Sequence, residues 1–467
     1  MGDFHAHAVF EEMAMNTGTN GREHWATRTG FILAASGSAI GLGNIWRFPY
    51  MTGEHGGAAF IVIYLIAVCL IGYPLLVNET IIGRVSQRNP VGAFKTLAPG
   101  SPWWLVGALG VFTGFVILSY YAVVAGWSLA YIFKVITVSQ GAGIDNAEVF
   151  SRHISNIWQP IGWQALFMIL TIAVISAGVV KGIQRCVTIL MPIFFVLLVL
   201  LILRAVTLPG AGEGIAYYLK PDFSEVTGRT LLGAVSQAFF SLSLGMGVFI
   251  TYGSYLHEKD EIPKSSGAIV GLDTVVALLA GFAIFPAVFA LGFEPGAGPG
   301  LVFITLPAVF AQMPFGTFFG LLFFFLLSIA ALTSALSLLE VVTAWLIDER
   351  GWHRKKASVV MGVTIFLVGL PASLGYSVFN CFSLPFFEID LLDTYDLLAN
   401  SILLPLGGLL TAIFVGYVWG TEKAIKEASK GSTGFTIGKW WAVLIRYVVP
   451  IIIAAIMVTG ILDSLGR

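Results

Sequence analysis

One residue in this chain able to do chemistry is a carboxylate in the middle of an apolar run. Asp273 stands in Val270-Gly271-Leu272-Asp273-Thr274-Val275-Val276. A charge at the centre of a bilayer costs about 2.5–3.5 kcal/mol on insertion scales and therefore requires a partner. Asp273 reads as a cation ligand or as the buried partner of a polar side chain. Thr333 and Ser334 are adjacent hydroxyls inside another apolar run; they either face a site or bond back to carbonyls of their own helix. Glu79 and Glu340 are two further carboxylates at such depth, readable as proton sites or, preferably, as acceptors for unpaired backbone. Arg47 and Asp396 are lone charges near the ends of two apolar runs. They form a gate if they face one another and are snorkelling charges if they do not. No metal-ligand spacing, phosphate loop or nucleophile elbow appears, and the seven histidines are scattered through tails and loops, so an enzyme is not expected.

These residues need elements that bring them together, and the first apolar run shows how. Within it lies Ser36-Gly37-Ser38-Ala39-Ile40-Gly41-Leu42-Gly43-Asn44-Ile45-Trp46-Arg47-Phe48-Pro49-Tyr50, with three glycines in seven residues. Irregular backbone at membrane depth survives only against protein or a watery cavity. A second interruption, Ser241-Leu242-Ser243-Leu244-Gly245-Met246-Gly247, lies about two hundred residues later. Two Gly-interrupted spans in corresponding places of two halves point to a binding site at the interface of an inverted repeat. At the first break, carbonyls near Ala39 and Ile40 with the Asn44 amide suit a hard cation such as Na+, and the amides opening the outer half-helix suit a carboxylate. The plain alternative is a kink or close-packing site.

Composition agrees with a membrane setting. The 467 residues are 57% hydrophobic and 11% charged, against roughly 25% charged in soluble domains. The net charge of −1 offers nothing to nucleic acid. Cys69, Cys186 and Cys381 lie in or beside apolar runs and read as packing residues without a disulfide framework. The first twenty residues lack the pattern of a cleaved signal peptide. Apolar spans read at 28–53, 57–82, 103–134, 161–179, 184–206, 231–256, 267–291, 316–347, 356–374, 395–419 and 438–462, eleven in all, with the least certain borders between the fourth and fifth and around the ninth. With the N-terminus inside, seventeen Lys and Arg fall on the inner side and seven on the outer, in accord with the positive-inside rule. The C-terminus is then outside. The organisation expected is a cytosolic tail over 1–26, a first five-helix repeat over 27–207, an extracellular connection over 208–230, a second, inverted repeat over 231–420, and a cytosolic loop with the eleventh helix over 421–467. The Gly/Pro-rich 294–300 followed by Phe303–Gln312 suggests a lid-like outer loop with a short helix.

The motifs Arg22-Glu23-His24-Trp25-Ala26-Thr27-Arg28 and Gly41-Leu42-Gly43-Asn44-Ile45-Trp46-Arg47-Phe48-Pro49-Tyr50 resemble the neurotransmitter:sodium symporter family. The likeness runs from Arg22 to the end of the chain and is strongest to the bacterial amino-acid groups, leucine-transporter and multi-hydrophobic. It implies an all-α integral membrane protein with the LeuT fold, a 5+5 inverted repeat whose first and sixth helices are broken. The resemblance further implies two Na+ sites. The first would comprise the Ala39 carbonyl, Asn44, Ser241 and Asp273 with the substrate carboxylate. The second would comprise the carbonyls of Gly37, Ile40 and Ala330 with the hydroxyls of Thr333 and Ser334. An amino-acid substrate would meet the amides of Leu42 and Gly43, the Tyr121 hydroxyl, and carbonyls near Ala39, Phe240 and Ser243. Its side chain would lie among Ile117, Tyr121, Phe240, Met246, Ser334 and Leu338. Phe240 with Arg47–Asp396 would close the outside, and Arg22–Asp348 with Trp25 and Tyr255 the inside.

Departures from the family pattern narrow this. Monoamine-carrying members have an aspartate where Gly41 stands, so an amino acid is favoured over an amine. Chloride-dependent members have serine at the position of Ala277 and asparagine at that of Asp273, so chloride is not expected, although Tyr64 and Gln237 match chloride-site residues. Ser38 stands where leucine-transporting members have asparagine, which leaves the contact to the substrate amine open. Gly182 and Pro192 match a Gly-x9-Pro pattern with which the family unwinds its fifth helix. The expected activity is Na+-coupled import of a hydrophobic, aliphatic or aromatic, L-amino acid by alternating access, in a lipid bilayer and without nucleic acid. The alternatives are another substrate on the same fold (a different amino acid, an osmolyte or a lipid-like amphiphile) and a sensor that binds without transport.

Overall fold

In the computed structural model, residues 22–138, 145–293, 300–379, 390–431, 434 and 436–465 are described, and every regular element among them is helical. The tail before Arg22, the Gly/Pro-rich 294–299, Cys381 and most of the 380–394 connection lie outside those residues.

Nine of the described helices are long and apolar enough to cross a bilayer, whose core asks for about 20 helical residues. They are α2 (Ala58–Ser86), α3 (Trp104–Thr137), α4 (Trp158–Ser176), α5 (Val179–Val206), α7 (Ile262–Ala290), α8 (Gly316–Arg350), α9 (Arg354–Leu374), α10 (Leu391–Trp419) and α11 (Lys439–Thr459). Two broken helices complete eleven. In α1, Arg28–Ala39 is followed after a gap by the wide turn Gly43–Arg47 and by Phe48–Glu54. In α6, Gly228–Ser241 is followed after a gap by Val248–Gly253. Five crossings separate the start of α1 from the start of α6, so the second broken helix enters from the opposite face. That is the inverted 5+5 arrangement.

Several helices outrun their apolar windows, because their polar ends pack on protein and not on lipid. Arg84, past the expected end of α2, is buried and paired with Glu427 at 3.0 Å, while its guanidinium also donates to the Asp260 carbonyl at 2.6 Å. The uncertain border between α4 and α5 falls at Gly178, whose φ of +102° only glycine adopts without strain. α5 then opens on a wide turn, Val179–Gln184, and runs unbroken through Pro192, so the expected unwinding is not seen here. α3 and α8 form the centre, with 78% of their apolar windows buried, whereas only 17% of α11 is, which puts α11 against lipid. Cys69 is exposed on α2 and Cys186 is half-buried; both are free, and Cys69 corrects the expectation of a packing role. The short loop helix expected after the Gly/Pro-rich stretch forms over Leu301–Gln312.

Candidate functional site

The two breaks face each other across the middle of the bundle, and each has a local cause. In α1 the helix stops at Ile40, whose ψ of 90° is extended, and the Gly41 carbonyl then accepts from the amides of Asn44 at 3.2 Å and Ile45 at 3.4 Å. In α6, Ser243, Gly245 and Gly247 all take positive φ, at +52°, +77° and +74°. Two of the three are glycine, which pays no steric penalty there; Ser243 does, and strained non-glycine residues of this kind gather at ligand sites. The Gly245 amide freed by the break donates to Glu79 Oε1 at 2.8 Å. Glu79 is thus the acceptor for unwound backbone that its depth suggested. Glu340 is not. It accepts from the Tyr255 hydroxyl at 2.6 Å and pairs with Arg354 at 2.7 Å, because Arg354 at the start of α9 reaches back to it. A buried charge announces that it needs a partner but not which one.

Asp273 on α7 lies fully buried behind the first break. Its Oδ1 accepts from Asn44 Nδ2 at 2.8 Å and from Ser241 Oγ at 3.1 Å, and its Oδ2 accepts from Ser241 at 2.9 Å. Asn44 Nδ2 also donates to the Asp273 carbonyl at 3.1 Å, and Asn44 Oδ1 accepts from the Gly41 amide at 3.1 Å. Three side chains from α1, α6 and α7 therefore converge around one carboxylate, with Asn44 turning its Nδ2 toward Asp273 and Ser241. Carboxylate, hydroxyl and carbonyl oxygens are the donors a hard cation such as Na+ takes, and Asn44 would join them by turning its amide over to present Oδ1.

Around the second expected cation site, α1 and α8 touch, but the two hydroxyls are bonded differently. Gly37 lies directly against Thr333, whose Cβ would be 3.3 Å from an added methyl, so α1 and α8 touch here. Thr333 Oγ1 donates back to the Ile329 and Ala330 carbonyls at 3.2 and 3.0 Å, the local alternative the sequence left open. Ser334 instead reaches across, donating to the Ser38 carbonyl at 2.9 Å and the Gly37 carbonyl at 3.5 Å.

Between the breaks is a cavity of about 300 Å³ lined by Ser38, Ala39, Gly41, Leu42, Gly43, Ile117, Tyr121, Phe240, Ser243, Met246, Ser334 and Leu338. All eleven residues expected around a substrate are in that lining, with Gly41 added. Its polar end holds the Leu42 amide, which donates to the Tyr121 hydroxyl at 3.3 Å. Ser337 was not foreseen; it joins the polar side through Ser38, whose hydroxyl donates to it at 2.6 Å. Its spacing of three from Ser334 on one helix is the signal that could have found it.

The two ends of the bundle differ. On the Arg22 side, Arg22 Nη1 pairs with Asp348 Oδ2 at 2.6 Å, Nη2 donates to Ser254 Oγ at 2.7 Å, and the guanidinium lies 4.9 Å from the Tyr255 ring centre. Trp25 is buried, its indole donating to the Tyr252 carbonyl at 3.0 Å. On the other side the expected pair is apart. Arg47 donates to Gln237 Oε1 at 3.1 Å and Ser236 Oγ at 3.2 Å and lies 5.2 Å from the Phe240 ring centre. Asp396 accepts from the Tyr120 hydroxyl at 3.0 Å and Asn400 Nδ2 at 2.7 Å. The wide turn in α1 aims Arg47 at α6, so the two charges stay on opposite walls.

Comparison with known proteins adds an independent line. The profile of the family described as Sodium:neurotransmitter symporter family matches residues 22–143 and 147–465. An uncharacterized sodium-dependent transporter of Bacillus subtilis is 44% identical over 445 residues, covering 94% of this chain and 98% of that protein. A second, from Haemophilus influenzae, is 39% identical over 461 residues, covering 96% and 100%. Among solved structures, the crystal structure of MhsT in complex with L-phenylalanine superposes with a TM-score of 0.88 at 47% identity, over 94% of this chain and 100% of that one.

Proposed function

The chain belongs to the sodium:neurotransmitter symporter family and is a sodium-dependent transporter with the LeuT fold, and from that premise we propose that it couples Na+ entry to import of a hydrophobic L-amino acid. The observation that carries the reading is the cavity itself. It lies between two helix breaks, next to the buried cluster around the Asp273 carboxylate, and its own lining has no charged side chain. A zwitterion suits such a place. Its carboxylate would take the Leu42 and Gly43 amides and the Tyr121 hydroxyl, and its ammonium the carbonyls of the breaks near Ala39, Phe240 and Ser243. Ile117, Met246, Leu338 and Phe240 would surround an apolar side chain. MhsT was solved in complex with L-phenylalanine, an amino acid of that chemistry.

Na+ is a co-substrate in this reading. The Ala39 carbonyl, Asn44, Ser241 and Asp273 would hold one ion beside the substrate carboxylate, and Gly37, Ile40, Ala330, Thr333 and Ser334 a second between α1 and α8. Thr333 would turn from its own helix carbonyls to do so. Each entering charge gains about 2.3 kcal/mol per 100 mV of membrane potential. The buried Asp273 supplies the negative charge locally, so chloride would not be needed. The N-terminus would be cytoplasmic and the C-terminus outside, following the distribution of Lys and Arg. With the Arg22–Asp348 side closed and Arg47 apart from Asp396, the structure is compatible with a cavity reached from the outside. Transport would rock α1, α2, α6 and α7 against the remaining helices until Arg47 and Asp396 approach and Arg22 releases.

The experiment is equilibrium binding of the twenty amino acids to purified protein in Na+ and in K+, with chloride exchanged for gluconate. Na+-dependent binding of leucine, phenylalanine or a similar side chain, indifferent to chloride, is expected. Absence of Na+-dependent binding for every apolar amino acid would sink the substrate assignment.

A further inference from the structure

A second hollow, shallow and open to the side, lies on the flank of the bundle, away from the central cavity. It lies between the ends of α5 and α7, the loop helix and the start of α8. Ten of its eleven lining residues are apolar, among them Ala283 and Ala287 on α7 and Phe310 on the loop helix; the eleventh is Arg204. All of them sit at the end of the bundle where Arg47 lies.

From this juxtaposition we propose that the hollow holds an acyl chain of an anionic phospholipid whose phosphate rests on Arg204. Three observations on the page select that occupant. First, Arg204 is the third residue from the end of α5, at the level where a guanidinium reaches the bilayer interface. No carboxylate lies within ion-pair distance of it among the described residues, and its guanidinium rests 5.8 Å from the Phe319 ring centre. Second, the hollow gives sideways onto lipid. Leu203 beside Arg204 is 55% exposed and Phe318 beside Phe319 is 53% exposed, so a chain can enter from the bilayer without crossing a polar surface. Third, the lining contains no acidic group. An amino acid or a cationic amphiphile would leave its ammonium without a counter-charge, whereas a phosphate suits the planar fork of a guanidinium.

A lipid seated there would touch α5, α7, α8 and the loop helix together, and it would bind in the leaflet on the Arg47 side. Its effect should therefore fall on stability and not on substrate affinity.

The test uses full-length protein and matched dioleoyl phosphatidylglycerol and phosphatidylcholine, with bound lipid counted by native mass spectrometry and thermal stability followed alongside. Wild type should retain phosphatidylglycerol at least tenfold more tightly and show the larger rise in Tm with it. Arg204→Gln should lose that preference, Arg204→Lys should keep part of it, and Ala287→Phe, which fills the hollow, should lose binding of both lipids. Na+-dependent substrate binding, unchanged in all three, reports that they fold. Phosphatidylglycerol preference persisting in Arg204→Gln would overturn the proposal. So would free oleate outcompeting the phospholipid, or a second copy of the chain covering this face in the purified protein.

Discussion

At the scale of single residues, the proposed chemistry rests on Asp273 and Gly41 in opposite ways, one by a charge and one by its absence. Asp273 is buried with hydrogen bonds from Asn44 and Ser241, so its carboxylate is held ready without a fixed cationic partner. Asp273→Asn keeps the shape and removes the charge. Removing one partner of a buried charge pair costs about 3–5 kcal/mol, so Na+ affinity in a binding titration should fall at least a hundredfold, and chloride should restore part of it. Unchanged Na+ affinity would take Asp273 out of the ligand set. At Gly41 an added Cβ would meet the Tyr121 hydroxyl at 3.0 Å and press on Ser334. Gly41→Ala should weaken amino-acid binding by tenfold or more while leaving the fold's Tm within a few degrees, measured in parallel. Binding at wild-type strength would mean that the substrate does not use this end of the cavity.

At the scale of elements, the N-terminal segment acts as a latch, tied to the α6–α7 connection and the ends of α5, α8 and α9. Its Trp25 amide donates to the Tyr255 carbonyl at 3.1 Å, Glu23 accepts from the first amide of α5 at 2.5 Å and lies 3.5 Å from Arg354, and Arg28 pairs with Glu261 at the start of α7 at 2.5 Å. Arg22→Ala should loosen this end of the bundle, seen as faster labelling of a cysteine placed at Ser254; equal labelling rates would refute the latch. The same contact should respond to pH. His24 stacks on His257 with ring centres 4.4 Å apart. Burial, then the neighbouring His257 and Arg22, lower the His24 pKa below 6.5, against the Tyr255 carbonyl and Asp260, which favour its charged form. A depressed histidine pKa means that the packed state prefers neutral imidazole. The contact is fully present above about pH 6.5 and weakens as pH falls through the lowered value. Cysteine labelling at Ser254 should therefore speed up in acid, and His257→Gln should flatten the profile. A profile of the same steepness in that variant would show that the stack is not the sensor.

For the molecule as a whole, the proposed Na+ and substrate site is built from helices of both repeats, so its ligands should hold the entire bundle together. A ligand at a hundred times its Kd adds about 2.7 kcal/mol of stability through mass action. Na+ with a bound amino acid should raise Tm by several degrees in detergent, and K+ should not. Equal Tm in the two salts at saturating substrate would argue against Na+ linkage.

The sequence by itself determined the membrane class, the eleven spans and both breaks, while the residues of the cavity came from the family resemblance its motifs carry. The bilayer explains why. Glycine pairs and charges in hydrocarbon are so costly that each one is visible against its neighbours, as Asp273 and Gly41–Gly43 are. Tertiary structure alone decided which partner each group took. Sequence assigned the same pair of alternatives to Thr333 and Ser334, yet one bonds its own helix and the other crosses to α1. Glu79 and Glu340 looked alike, yet one caps unwound backbone and the other pairs with Arg354. Arg47 turned to Gln237 and left Asp396 to Tyr120 and Asn400. In each case the deciding quantity is the rotation and depth of one packed helix against another, which arises from the fit of many side chains at once and is encoded at no single position.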